Sequence, residues 1–269
     1  MSPSPAPADR SPARKWGSGP RPILALHCAL AHGGAWADLA QNLQGVTLTA
    51  PDHPGHGRNR DWDGVQDLHQ QATAEALAHA HDLAKDGPID LFGHSFGGTL
   101  ALRIALENPG LVRALVLVEP VLFAAARATQ SFAQMAASQL NLAQAIAADR
   151  EAAAASFHAE WGTGEALADL PERPRRYITE RIHLIPAANP GLVDDNAHLL
   201  RPEGLESLKV PVLLVEGGKS PAIVGAIHDA LAQRITPLTR AKIDDAGHML
   251  PLTHAKALAA LVQTHLAKS

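Results

Sequence analysis

Six short apolar runs recur along this chain, at 23–27, 46–50, 89–92, 114–118, 210–215 and 241–244. Their length and their Val, Ile and Leu content are those of buried strands. Between several of them the apolar positions return every three or four residues instead. Leu68, Ala72, Ala76, Leu77 and Leu83 do so among polar neighbours, which predicts an amphipathic helix over 66–85. Further helices are predicted from residue 98 to 107 and around 222–234. Gly87-Pro88 and Asn108-Pro109-Gly110 break the chain between elements. Strands alternating with helices predict an α/β fold with a doubly wound, mostly parallel sheet and right-handed crossovers.

Two stretches depart from this rhythm. Residues 1–22 are rich in Pro, Ser and Ala and read as a flexible N-terminal tail. Residues 121–208 hold no convincing strand, are alanine-rich, and predict helices near 128–155, 156–168 and 172–185. Inserted between two core strands, this stretch reads as a helical lid over the carboxyl ends of the strands. The α/β core is then 23–120 together with 209–269.

Composition narrows the function classes. With 269 residues the chain is ample for a buried core, and a formal net charge of −4 supplies no basic surface for nucleic acid. No apolar run approaches the roughly 20 residues of a membrane span. The first residues have neither the charged n-region nor the apolar h-region of a secretory signal, so a cytoplasmic protein is expected. The single cysteine, Cys28, excludes an internal disulfide. Fifteen histidines invite a metal reading, but His79 and His81 would point to different helix faces, and no His-Glu-x-x-His or paired-cysteine spacing occurs. Most of these histidines are expected on the surface, and neither metal nor cofactor is predicted.

The chemistry concentrates in Gly93-His94-Ser95-Phe96-Gly97, between the run at 89–92 and the helix at 98–107. At a strand-to-helix turn of this kind the serine sits on strained backbone with its hydroxyl raised clear of the sheet. The helix N-terminus beyond it favours developing negative charge. Ser95 is therefore the predicted nucleophile, and it needs a base. His248 is placed for that role, in the loop after the last predicted strand, at the sheet edge where ligands bind in doubly wound folds. His94 points away from the serine's side of so tight a turn and is expected to be structural. The acid that orients the histidine is less determined. Glu119, directly after the strand ending at Val118, is the favoured candidate; Glu216, Asp244 and Asp245 remain open. Oxyanion donors are expected from the backbone N–H of Phe96 and from the loop after the first strand, with Ala29 the choice there. Cys28 has no partner that would make it a nucleophile and reads as a packed thiol.

Together these residues resemble the α/β-hydrolase-fold serine hydrolases over about residues 22–266. The resemblance rests on Leu26-His27-Cys28 with Trp36 beyond it, Asp52-His53-Pro54-Gly55-His56-Gly57-Arg58, the Ser95 pentapeptide, and Gly247-His248. Such families usually have glycine where Cys28 stands, serine where Asn59 stands, and an aspartate where Ser220 stands. Some members take their acid from the strand that here ends before Glu119. The resemblance implies a structural role for the Asp52 motif and a short first β-hairpin. A serine rather than an aspartate nucleophile argues against haloalkane dehalogenase or epoxide hydrolase chemistry. It leaves acyl transfer to water on a small-molecule acyl substrate: a carboxylic ester first, with a lactone, a thioester, an amide or a C–C bond beside a ketone as alternatives. A non-enzymatic binding protein that kept the fold is the reading from a different class. Phe123, Phe132, Met135, Leu140, Phe157 and Trp161 are possible lid walls, although helical spacing favours lid core for most. Arg173, Arg175 and Arg176 read as a solvated helix start after Pro171.

Overall fold

The structure, a computed structural model, describes residues 11–269. The first half of the chain runs β1 (Ala13–Trp16), β2 (Arg21–Leu26), α1 (Ala37–Gln41), β3 (Val46–Pro51), α2 (Leu68–Leu83), β4 (Ile89–His94), α3 (Phe96–Glu107) and β5 (Val112–Val118). Five helices follow: α4 (Gln130–Ala148), α5 (Arg150–Trp161), α6 (Glu172–Arg181), α7 (Leu184–Ala187) and α8 (Asn189–Leu192). The chain then closes with β6 (Val212–Gly217), α9 (Ala222–Ala232), β7 (Leu238–Ile243), α10 (Leu250–Thr253) and α11 (Ala255–Leu266). All seven strands form one sheet in the order β1-β3-β2-β4-β5-β6-β7. Only β1 is antiparallel to its neighbour; the rest are parallel.

The apolar runs make strands because both faces of the sheet are covered, which is how parallel sheets are stabilised. Every residue of β4 is buried. Leu91 and Leu117 face a core built with α2, α3 and α9, while Phe92, Val116 and Val215 face one built with α1 and α11. A fully buried leucine or phenylalanine contributes about 2 kcal/mol through removal of its surface from water. The one charged residue within β4, Asp90, is fully buried and is neutralised by guanidinium hydrogen bonds from Arg21 and Arg113. These tie β2, β4 and β5 together at their amino ends. At the other end, Leu26 is level with Gly93, His94 with Val118, and Gly217 with Ile243. The loops leaving these strands therefore gather on one edge.

Three expectations are corrected. Residues 1–10 of the predicted tail lie outside the described residues, but residues 13–16 form β1, paired residue for residue with β3. The cause is polar: Arg14 reaches the buried Asp52 carboxylate at 2.7 Å, and the Asp52 N–H bonds the Pro12 carbonyl. The helix predicted over 128–155 is two helices, because Asp149 adopts an extended backbone and its side chain caps the N–H groups of Glu151 and Ala152. And the histidines are not mainly superficial, since His27, His53, His56, His69, His94, His158, His228, His248 and His265 are buried. Residues 121–208 contain no strand. They have a small core of their own around Leu142, Ala154, Leu167 and Ile182, and join the main core through Met135, Trp161 and Leu184. Among the described residues no helix is long and apolar enough to cross a membrane.

Candidate active site

Ser95 stands alone between the end of β4 and the start of α3, with φ 55° and ψ −117°. A non-glycine residue held there stores about 1–3 kcal/mol of backbone strain. The strain is held by the Ser95 N–H bonding the Val118 carbonyl at 2.9 Å and by the Ser95 carbonyl capping Gly98 and Thr99. The flanking glycines are required by space. A Cβ on Gly93 would strike the Gly97 carbonyl, and one on Gly97 would strike the carbonyls of Leu26 and His27.

His248 lies in the loop between β7 and α10, as the chain order predicts, and is buried. Its Nδ1 is 2.6 Å from Glu119 Oε2. Glu119 follows β5 directly, is fully buried, and is itself strained at φ 46°. Its other oxygen, Oε1, accepts from the Gly217 N–H at 2.5 Å and from Ser220 Oγ at 2.6 Å. Burial alone would push this carboxyl up. The bonds from His248, Ser220 and Gly217 outweigh it and hold the group below the ordinary glutamate value. The other three carboxylates lie elsewhere. Glu216 faces His228, Arg240 and Lys242, Asp245 pairs with His254, and Asp244 is exposed. Ser220, at the position where an aspartate is usual, thus supports the carboxylate from β5.

His94, expected to be structural, contacts the site. Its Nε2 donates to the His248 carbonyl at 2.9 Å, and the two rings stand 5.0 Å apart. Burial lowers its pKa to about 3, so it remains neutral. Trp161 packs its indole edge-on against the His248 ring at 4.8 Å.

The loop after β2 is fixed by histidines in a way the sequence did not announce. His27 Nε2 accepts from the His53 N–H, His53 Nε2 donates to the His27 carbonyl, and His56 Nε2 accepts from the Leu30 N–H. Burial holds His53 at about 3 and His56 at about 4, and pushes His27 well down, so all three stay uncharged. Asp52 completes the frame by accepting from the N–H groups of Gly33 and Arg58. Asn59 carries on where a serine is usual, its amide donating to the Asp52 carbonyl and to Glu75. Among the described residues the N–H groups of Ala29 and Phe96 have no hydrogen-bond partner. Cys28 is buried against Met249, and desolvation raises its thiol to about 12, which keeps it protonated and inert.

Ser95, His248, Ala29 and Phe96 share one cavity of about 820 Å³. Its far wall is largely apolar and comes from the helical insertion: Phe123, Phe157, Trp161, Ile178, Ile185 and Leu192. Three of the six aromatic or aliphatic lid candidates therefore meet the cavity; Leu140 is exposed instead. Arg173 also lines it, from the first turn of α6. Tyr177 joins insertion to core, accepting from the Gly57 N–H and donating to the Ala31 carbonyl.

A serine on a strained strand-to-helix turn, a histidine after the last strand, and a cavity at the carboxyl edge of the sheet define an α/β hydrolase. The chain belongs to the α/β hydrolase fold family, whose model matches residues 21–255. It is 32% identical over 254 residues to lipase LipV of Mycobacterium tuberculosis, covering 93% of this chain and 94% of that one. It is 30% identical over 248 residues to a pimeloyl-[acyl-carrier protein] methyl ester esterase of Neisseria meningitidis, covering 89% of this chain and 74% of the relative. Among solved structures, the thioesterase domain from the curacin biosynthetic pathway superposes with a TM-score of 0.64 at 25% identity, covering 94% of each chain.

Proposed function

We propose that this protein is a serine carboxylic ester hydrolase in which Ser95, His248 and Glu119 form the catalytic triad. The observation that carries the reading is the 2.6 Å bond from His248 Nδ1 to a buried carboxylate, with Ser95 on the same cavity. Because Glu119 takes the Nδ1 proton's hydrogen bond, Nε2 is left unprotonated and able to act as a base. Ser95 Oγ attacks the ester carbonyl while Nε2 takes its proton. The tetrahedral oxyanion is held by the free N–H groups of Ala29 and Phe96, each such donor worth about 3–4 kcal/mol in the transition state. His248 then protonates the departing alkoxide, and an acyl-enzyme remains on Ser95. Water, deprotonated by the same nitrogen, releases the acid. The names of the relatives, a lipase and a methyl ester esterase, agree with an ester as the substrate. The insertion at 121–208 acts as the lid, since it supplies the apolar wall that would receive the acyl chain.

The test is covalent. A fluorophosphonate probe is expected to label the wild type at Ser95, and Ser95→Ala to lose both labelling and hydrolysis of p-nitrophenyl butyrate. Full activity in Ser95→Ala would overturn the proposal. A panel of acyl chain lengths and lactones then ranks substrates.

A further inference from the structure

The cavity is unevenly charged. Four of its lining side chains are arginines, and among the described residues no aspartate or glutamate lines it. Arg181 is occupied, its Nε donating to the Gly55 carbonyl and its guanidinium lying 4.0 Å over the Tyr177 ring. The other three are Arg14, Arg58 and Arg173. Arg14 and Arg58 share a single carboxylate, that of Asp52, at 2.7 and 3.7 Å. One negative charge neutralises one guanidinium and not two. Among the described residues Arg173 makes no hydrogen bond or ion pair. The acidic groups of its own helix, Glu172 and Glu180, line an outer groove of α6 and not the cavity, and Glu180 pairs with Arg176 and Arg181. All three guanidinium groups are reachable, since the Arg14 and Arg58 side chains are 27% and 56% exposed and Arg173 is exposed as well.

These groups surround one half-buried ring of the cavity wall, His32. Burial and then the charge of Arg14 hold its pKa below the ordinary value; Asp52 pulls the other way, and Arg173 and Arg58 push it down again. Its Nδ1 accepts from the Gly34 N–H at 3.0 Å, so the neutral ring carries its proton on Nε2 and adds a further donor to the group. His32 is three residues beyond Ala29, which puts their Cα atoms at most about 11 Å apart. The insertion is held over the same loop, because Tyr177 donates to the Ala31 carbonyl. Arg173 precedes Tyr177 by one helical turn, about 6 Å along α6. An ester whose carbonyl sits at Ser95 therefore reaches the guanidinium groups through a substituent several bonds away. Guanidinium N–H groups take carboxylate and phosphate oxygens as charged, bidentate partners, and they repel a cationic substituent.

We infer that Arg14, Arg58, Arg173 and His32 form an anion subsite, and that the preferred substrates are carboxylic esters carrying a carboxylate or phosphate several bonds from the scissile carbonyl. This rests on the ester-hydrolase reading of the same cavity. Two sets of pairs test it by kcat/KM. Monomethyl esters of the dicarboxylic acids from succinic to sebacic are compared with methyl esters of the monocarboxylic acids of equal chain length, and 1-butyrylglycerol 3-phosphate with 1-butyrylglycerol. In at least one pair the anionic member is expected to be favoured about tenfold or more at low ionic strength, and to lose most of that advantage in about 0.5 M NaCl. Preference in the first set identifies a carboxylate on the acyl side of the ester, and in the second a phosphate on the alcohol side. Arg173→Gln is expected to lower the ratio by about threefold or more and Arg173→Glu to lower it further. A general packing defect would not do this, because it affects both members alike. Wild-type ratios near one in every pair, or a preference unmoved by salt and by Arg173→Glu, would overturn the subsite while leaving ester hydrolysis intact. Failure to turn over any of these esters, with no fluorophosphonate labelling, would instead remove the hydrolase reading and the subsite with it. The wild-type ratios decide the matter even if a variant does not fold.

Discussion

Replacing Glu119 by glutamine changes one atom's chemistry at the point where the site is most constrained. The Gly217 N–H is fixed in the backbone and donates to Oε1 at 2.5 Å. In the variant, the amide oxygen has to keep that position, because the amide nitrogen there would set two donors face to face. The NH₂ group is then forced against His248 Nδ1, which must become an acceptor, and the imidazole proton moves to Nε2. That tautomer cannot take the proton of Ser95. Restoring the competent tautomer means opposing two donors in a buried site, at about 1–3 kcal/mol, and giving up a charge-assisted bond of about 1.5–3 kcal/mol. The sum, roughly 3–6 kcal/mol, corresponds to about 10²–10⁴ in rate, and the analogous Asp-to-Asn change in a serine protease triad costs about 10⁴. The assay is kcat on p-nitrophenyl butyrate with circular dichroism to confirm the fold. Glu216→Gln, Asp244→Asn and Asp245→Asn serve as controls expected to stay within about threefold of wild type. If Glu119→Gln keeps more than a tenth of the activity, or if a control falls further, Glu119 is not the orienting acid. Ser220→Ala removes only one of its three hydrogen bonds and is expected to cost about tenfold.

Gly97→Ala drives a Cβ into the carbonyls of Leu26 and His27 and is expected to destabilise the fold by about 3 kcal/mol, read from urea unfolding; an unchanged midpoint would contradict the close approach. Acid is expected to unfold the protein early. His53 and His94 are held at about 3, and His56 and His69 at about 4, against an ordinary 6.5. Below 6.5 the unfolded chain binds protons that these rings refuse while folded, so stability present above that pH is lost as pH falls, by about 2 kcal/mol per ring at pH 5. Several such rings together make this loss a large share of a domain's stability. Glu119, held below its ordinary value, adds loss in the same direction at still lower pH. Equal urea midpoints at pH 8 and pH 5 would refute this. Finally, native Cys28 is expected to resist iodoacetamide at pH 8 and to react once the protein is unfolded, as mass spectrometry would show.

The parts legible in the sequence were those set by local periodicity and chain order. Buried parallel strands announce themselves as unbroken apolar runs, and the Ser95 turn needs glycines that cannot be replaced, so both were readable from a few residues. Glu119 could be proposed because Ser220 stood where a carboxylate was expected and a strand end offered another. That Ser220 then bonds to Glu119 joins residues 101 apart in the chain, which no local pattern encodes. β1 was missed for a related reason. Its side chains alternate between exposed and half-buried, and its Ala, Arg and Lys residues carry no strand signal. What selects it is the pull of buried Asp52 on Arg14.

The histidines show why residue type alone misled. Imidazole is as suited to the surface as to the interior, and spacing can exclude a metal site without revealing burial. Here His27, His53, His56 and His94 act as neutral hydrogen-bonding struts between loops. The family resemblance sets a glycine where Cys28 stands, and loss of that glycine would matter if the loop depended on glycine's conformational freedom. The struts remove that dependence. His27, His53 and His56 fix the backbone on both sides of Cys28, through the His27 carbonyl and the Leu30 N–H. The cysteine side chain packs onto Met249, the neighbour of His248. The Ala29 N–H is then presented by a frame that holds only while the rings are uncharged. Because the folded protein keeps His56 neutral down to about pH 4 and His53 down to about 3, stability is lost before the frame charges: the urea midpoint is expected to fall from pH 6.5 downward, while the loop around Ala29 keeps its geometry in the molecules that remain folded.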